Sequence, residues 1–235
     1  MKAFLLVHGA WQSGECWKKV ASRLKAADHS VIIPELPWHE AIEQNNQQPL
    51  ISCINYLINS ISTYDTIIAV GHSIGGIFIS QLADVIPDKM EKLVYISGFL
   101  LKSGQCANDT ADLMIDSVVS RNMNLDKDKK NIVIPKSILR EAMYHDMDDE
   151  DFAYAEELYR DQPLWTFQSA PSLTDEHFGR IPKFYIECQR DYAIPISAQR
   201  AMQGNWECQK VYSLNCSHSP FYSMPDELAD LLTDL

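Results

Sequence analysis

The chain has 235 residues, 46% of them hydrophobic and 22% charged, enough to bury a full core as one globular domain with room for an insertion. Its 20 basic and 32 acidic side chains give a net charge of −12, and no basic tract of any length interrupts the sequence. Nucleic acid and anionic membrane are therefore not expected as partners, since both require clustered Lys and Arg.

Taken in order, the chain opens on Lys2–Val7, an apolar run that reads as a strand. It is too short for a signal h-region or a membrane span before His8-Gly9 interrupts it. Six cysteines (Cys16, Cys53, Cys106, Cys188, Cys208, Cys216) show no Cys-x-x-Cys spacing, which favours reduced thiols over a disulfide framework or a zinc site. Together these features predict a cytoplasmic protein.

Further strands are predicted at Ser30–Ile33, Thr66–Val70, Lys92–Ser97, Lys183–Glu187 and Gln209–Ser213. Between them lie helical patterns around Cys16–Ala26, Leu50–Ser60, Gly76–Val85, Ser197–Asn205 and Pro225–Leu232. The alternation predicts an α/β fold, a doubly wound, mostly parallel sheet with helices on both faces. Pro225 suits the first turn of the last helix, where a missing N–H costs nothing. After the fourth strand the rhythm breaks. Residues 102–180 show no convincing strand but carry helical patterns at Thr110–Arg121, Lys136–His145 and Asp149–Tyr159. The predicted organisation is a core of residues 1–101 and 181–235 with an inserted helical cap, 102–180, above the strand ends. The acidic run from His145 to Asp151 lacks the Gly and terminal Glu of an EF-hand loop and reads as a solvated helix start.

The chemistry centres on Gly71-His72-Ser73-Ile74-Gly75, which directly follows the strand Thr66–Val70. This is a strand, a sharp turn bearing a serine, then a helix. Such a turn strains the serine backbone, lifts its hydroxyl above the sheet edge and leaves no room for a Cβ at the flanking glycines. A serine becomes a nucleophile only beside a base and an oxyanion hole.

Of the seven histidines, His29, His39, His145 and His177 fall in expected loops, helix ends or the cap, and His72 points away if the turn is an elbow. His8 belongs to the loop after the first strand. His218, in Asn215-Cys216-Ser217-His218-Ser219 after the last strand, is the expected base, because an imidazole from that loop reaches back over the nucleophile. Asp191, just past the strand Lys183–Glu187, is the expected acid. Its competitor Glu187 lies within the strand, and Gly98–Lys102 offers no carboxylate. The backbone N–H groups of Ile74 and Ala10, the latter in His8-Gly9-Ala10-Trp11, are the expected oxyanion donors. Trp11, Phe99, Trp165, Phe167 and Phe221 are candidate walls of a substrate pocket, with plain packing as the other reading. Gly-x-Gly-x-x-Gly and Gly-Lys-Ser/Thr are both absent, and no cofactor or metal is expected.

The segment Phe4–Trp11, the Val70–Gly76 turn, the stretch Tyr185–Pro195 around Asp191 and the His218 loop together resemble the α/β-hydrolase superfamily. They are most similar to its small branch of plant methyl esterases, plant hydroxynitrile lyases and bacterial relatives. The resemblance implies a serine esterase acting through an acyl-enzyme on a small-molecule ester; that chemistry needs no cofactor, and a monomer or homodimer is expected. The lyases of the branch carry a threonine where Gly9 stands and a lysine where Ser219 stands, so the departures favour ester hydrolysis over cyanohydrin cleavage. A non-catalytic ligand-binding relative is the third reading.

Overall fold

Runs of β-branched and apolar residues buried on both faces form a parallel sheet, because helices then cover each side of it. A computed structural model of the chain describes residues 1–39 and 48–235. Strands β1 (Lys2–Val7), β2 (Ser30–Ile32), β3 (Thr66–His72) and β4 (Met90–Ile96) come first. A long insertion then carries β5 (Asn124–Leu125), β6 (Asn131–Val133) and β7 (Gln162–Pro163), before β8 (Lys183–Cys188) and β9 (Lys210–Leu214) complete the main sheet. Its order is β2-β1-β3-β4-β8-β9, with every neighbouring pair parallel. All strands therefore end at one edge, where the loops after β1, β3, β4, β8 and β9 meet.

Helices α1 (Lys18–Ala26), α2 (Pro49–Ser60) and α3 (Gly75–Val85) fall among the first four strands. On α1, Val20, Ala21 and Leu24 are buried while Arg23 and Lys25 occupy the last turn, where cations suit the negative helix end. Helices α4 (Val118–Asn122), α5 (Lys136–Met143), α6 (Asp149–Glu157) and α7 (Trp165–Gln168) belong to the insertion. The last three, α8 (Ile196–Gln203), α9 (Pro220–Ser223) and α10 (Pro225–Thr233), follow β8 and β9. Pro225 opens α10, followed by Asp226 and Glu227, and Leu228, Ala229 and Leu232 are buried on its inner face. Helix α1 packs on α10, and α2 on α3. Among the described residues no helix is long and apolar enough to cross a membrane.

The insertion departs from the sequence expectation. Strands β5, β6 and β7 form a small antiparallel sheet where only helices were expected, each strand being too short to show an alternating pattern. The helix expected over Thr110–Arg121 is broken: a 3₁₀ segment, Ala107–Leu113, gives way to α4, which starts where the Ser117 side chain accepts the Ser120 N–H. The acidic run does begin a helix, with the Asp148 carboxylate capping the Asp151 N–H at 2.8 Å.

Candidate active site

The turn after β3 holds Ser73 at φ 52°, in the left-handed region that non-glycine residues rarely adopt. Packing enforces it. A Cβ at Gly71 would lie 2.8 Å from the Gly75 carbonyl, and one at Gly75 would lie 2.8 Å from the carbonyls of Val7 and His8 on the neighbouring strand end. The Ser73 N–H is tied to the Ile96 carbonyl at 3.2 Å, and its carbonyl accepts the Phe99 N–H at 3.0 Å. The serine is thus fixed between the ends of β1 and β4.

Asp191 follows β8, and all its acceptor capacity is used. Its Oδ1 accepts the backbone N–H groups of Ala193 at 2.7 Å and Ile194 at 2.8 Å. Its Oδ2 accepts the Ser97 hydroxyl at 2.5 Å and His218 Nδ1 at 2.6 Å. A carboxylate can only accept, so Nδ1 carries the proton and Nε2 of His218 is left as the basic nitrogen. Both partners are buried. Glu187 is occupied elsewhere, by Arg200, Gln203 and Ser213, and takes no part.

Ser73 and His218 line the same cavity, of about 470 Å³. Among the described residues no hydrogen bond joins the Ser73 hydroxyl to the imidazole; such contacts commonly close only when substrate is bound. Nor is the N–H of Ala10 or of Ile74 taken up by a protein acceptor among the described residues. The adjoining Trp11 N–H, by contrast, goes to Gln162 Oε1 at 3.1 Å.

Of the five aromatic residues expected to wall the pocket, Trp11, Phe99 and Phe167 do so. The other two are placed elsewhere. Trp165 donates its indole N–H to the Trp38 carbonyl at 3.1 Å and packs edge-on to Phe78. Phe221 is wholly buried against Trp17 and His72. The remaining walls come largely from the insertion, through Met114, Ile115, Val119 and Met123, which sequence reasoning did not single out.

Three other residues were missed. His72 does point away from the cavity, yet its Nε2–H donates to the His218 backbone carbonyl at 2.7 Å and its ring lies 4.4 Å from the His218 ring. Burial and the neighbouring His218 hold the His72 pKa well below the usual histidine value. Ser97 supplies a hydroxyl to Asp191 from the end of β4, a position legible only once β4 is known to lie beside β8. Asp146, inside the acidic run, accepts the Ser217 N–H at 2.6 Å and so ties the insertion to the His218 loop. Nothing in the sequence distinguishes it from its acidic neighbours.

A six-stranded parallel sheet with a strained serine turn after its third strand defines an α/β-hydrolase fold. The chain belongs to the alpha/beta hydrolase family, whose model matches residues 4–231. It is 26% identical over 253 residues to methylesterase 7 of Arabidopsis thaliana, covering all of this chain and 96% of that one. It is 29% identical over 248 residues to the chloroplastic protein assigned as methylesterase 13 in Arabidopsis thaliana, where it covers all of this chain but spans 56% of the relative. The crystal structure of a pyrethroid hydrolase from Sphingobium faniae superimposes with a TM-score of 0.82 at 26% identity, covering 100% of this chain and 97% of that one. The resemblance read from the motifs, to methyl esterases and bacterial relatives, is borne out.

Proposed function

We propose that the protein is a carboxylic ester hydrolase that cleaves small esters, methyl or aromatic esters among them, through an acyl-enzyme on Ser73. One observation carries the reading: a buried Asp191–His218 pair, 2.6 Å apart, opens onto the same mostly apolar cavity as a serine held at φ 52°. The names of the relatives support the ester as substrate class.

In the first step Ser73 Oγ attacks the ester carbonyl carbon while His218 Nε2 takes the hydroxyl proton. Asp191 fixes the tautomer that leaves this nitrogen basic and stabilises the imidazolium that forms. The oxyanion lies against the N–H groups of Ala10 and Ile74, the second at the positive end of α3. Collapse breaks the C–O bond to the alcohol, which leaves with the proton from His218. Water, deprotonated by the same imidazole, then releases the acid and restores Ser73.

Residues 102–180 act as the cap in this reading, with Phe167 and α4 enclosing the acyl or alcohol part. An apolar cavity of about 470 Å³ suits a compact hydrocarbon or aromatic group. The protein works in the cytoplasm on a small-molecule ester, as a monomer or homodimer, with no cofactor; its net charge of −12 supports the lack of nucleic-acid and membrane partners. Two features weigh against cyanohydrin cleavage. A Cβ at Gly9 would lie 2.6 Å from His72 Nδ1, and Ser219 is buried against Gln12 rather than presenting a cation. The test is hydrolysis of 4-nitrophenyl and methyl esters by wild type beside Ser73→Ala, with mass-spectrometric detection of fluorophosphonate on Ser73. Unlabelled Ser73, or full activity in Ser73→Ala, overturns the reading.

A further inference from the structure

We infer that Gln162, on β7 of the insertion, is a positioning residue that sets the oxyanion hole through Trp11; this rests on the ester-hydrolysis reading above. Trp11 follows Ala10, the proposed donor, and stands at φ 61°, a left-handed conformation that a bulky side chain adopts only when its surroundings enforce it. All three of its polar groups are held by the insertion. Its N–H donates to Gln162 Oε1 at 3.1 Å, its carbonyl accepts the Arg160 N–H at 3.1 Å, and its indole N–H donates to the Ile132 carbonyl at 2.9 Å.

Gln162 is itself fixed. It is fully buried, and its Nε2 donates to Thr166 Oγ1 at 3.0 Å, while that hydroxyl donates to the Pro163 carbonyl at 2.7 Å. The Thr166 proton is thus committed, so the amide must present Nε2 to the hydroxyl and Oε1 to Trp11. Removing that acceptor frees the Trp11 N–H and lets its φ relax out of the left-handed region. The Ala10–Trp11 peptide then rotates about the Ala10 Cα, and the adjoining Gly9–Ala10 peptide, which carries the Ala10 N–H, turns with it. The Trp11 indole stays bonded to the Ile132 carbonyl, so the cavity wall it forms and ground-state binding are little affected; the fit of the oxyanion is lost. The insertion therefore shapes the chemistry as well as the pocket.

The test uses the full chain and 4-nitrophenyl butyrate. Gln162→Met keeps the volume without an acceptor and should lower kcat roughly 10- to 100-fold, with KM changed by less than about threefold. Gln162→Glu, when protonated, can accept from Trp11 and donate to Thr166. Ionised, it still accepts from Trp11, so its kcat should exceed that of Gln162→Met at every pH. Thr166→Val, which loosens the amide, should lower kcat in the same direction. Unchanged kcat in Gln162→Met, or a raised KM with kcat intact, overturns the inference. Should Gln162→Met fail to fold by circular dichroism, full kcat in Thr166→Val overturns it instead. An active wild type with an unaffected Gln162→Met sinks only this inference. A wild type without Ser73-dependent turnover sinks the ester reading, and this one with it.

Discussion

His72 donates its Nε2–H to the backbone carbonyl of His218 at 2.7 Å, so the residue before Ser73 holds the His218 backbone in place. Phe221 closes the arrangement, edge-on to the His72 ring at 4.9 Å. His72→Phe keeps an aromatic ring there but leaves the buried His218 carbonyl without its donor. A buried acceptor stripped of its partner costs about 1–3 kcal/mol. Urea unfolding should show a loss of that size, and kcat should fall with it because the imidazole is no longer pinned. A variant of wild-type stability and activity would show that the bond positions nothing.

The same histidine makes stability depend on pH. Desolvation holds the His72 pKa well below 6.5, and His8 is lowered for the same reason. His72 Nδ1 has no protein acceptor among the described residues, so a second ring proton would gain nothing there. Above pH 6.5 neither the folded nor the unfolded form carries the extra protons. Below it the unfolded chain takes up protons that the folded protein refuses, and stability falls as pH falls until the folded pKa is reached. Each such histidine contributes a slope approaching about 1.4 kcal/mol per pH unit. Urea midpoints measured from pH 7.5 to 5 should fall steadily, and His72→Gln should fall less steeply. Equal slopes for the two proteins would exclude His72 as a cause.

Much of the proposed site was legible because its core is local chemistry. Gly71-His72-Ser73-Ile74-Gly75 needs its glycines within five residues, and Asp191 and His218 follow strands recognisable by composition. The supporting groups were hidden because they act across the chain. Asp146 reaches Ser217, and Gln162 reaches Trp11 across 151 residues. No periodicity connects such pairs. Strands of two residues, as in β5 and β7, are invisible for another reason: alternation needs more residues than they have. Trp165 and Phe221 show the limit of residue type, since an aromatic side chain signals burial without saying which surface it faces.

Asp191 stands to be tested by changing its hydrogen-bond sense and not its size. In Asp191→Asn an amide oxygen can still accept the Ala193 and Ile194 N–H groups, but the nitrogen now faces His218 Nδ1. That nitrogen donates, so Nδ1 must accept and the ring proton moves to Nε2. The imidazole can then no longer take the proton of Ser73. A fall in kcat on the order of 10⁴ is expected. The circular dichroism spectrum should stay that of wild type, and fluorophosphonate labelling of Ser73 should slow in parallel. Labelling at the wild-type rate would assign the base another orienting partner.

Gly9 offers a last test, separating the esterase reading from the lyase one by space alone. A Cβ there would lie 2.6 Å from His72 Nδ1 and 2.9 Å from Ser73 Cβ, closer than such atoms approach in folded proteins. The first neighbour is locked by its bond to His218, and the second sits on the strained turn, so neither can yield without moving His218 or Ser73. Gly9→Thr should therefore lower stability by about 1–3 kcal/mol, the usual cost of overpacking, and also lower esterase activity. It should gain no cyanohydrin cleavage, even when combined with Ser219→Lys, because the threonine hydroxyl would enter only by displacing the groups it is meant to assist. Release of cyanide by the double variant at a rate above the uncatalysed background would show that the site can accommodate both chemistries.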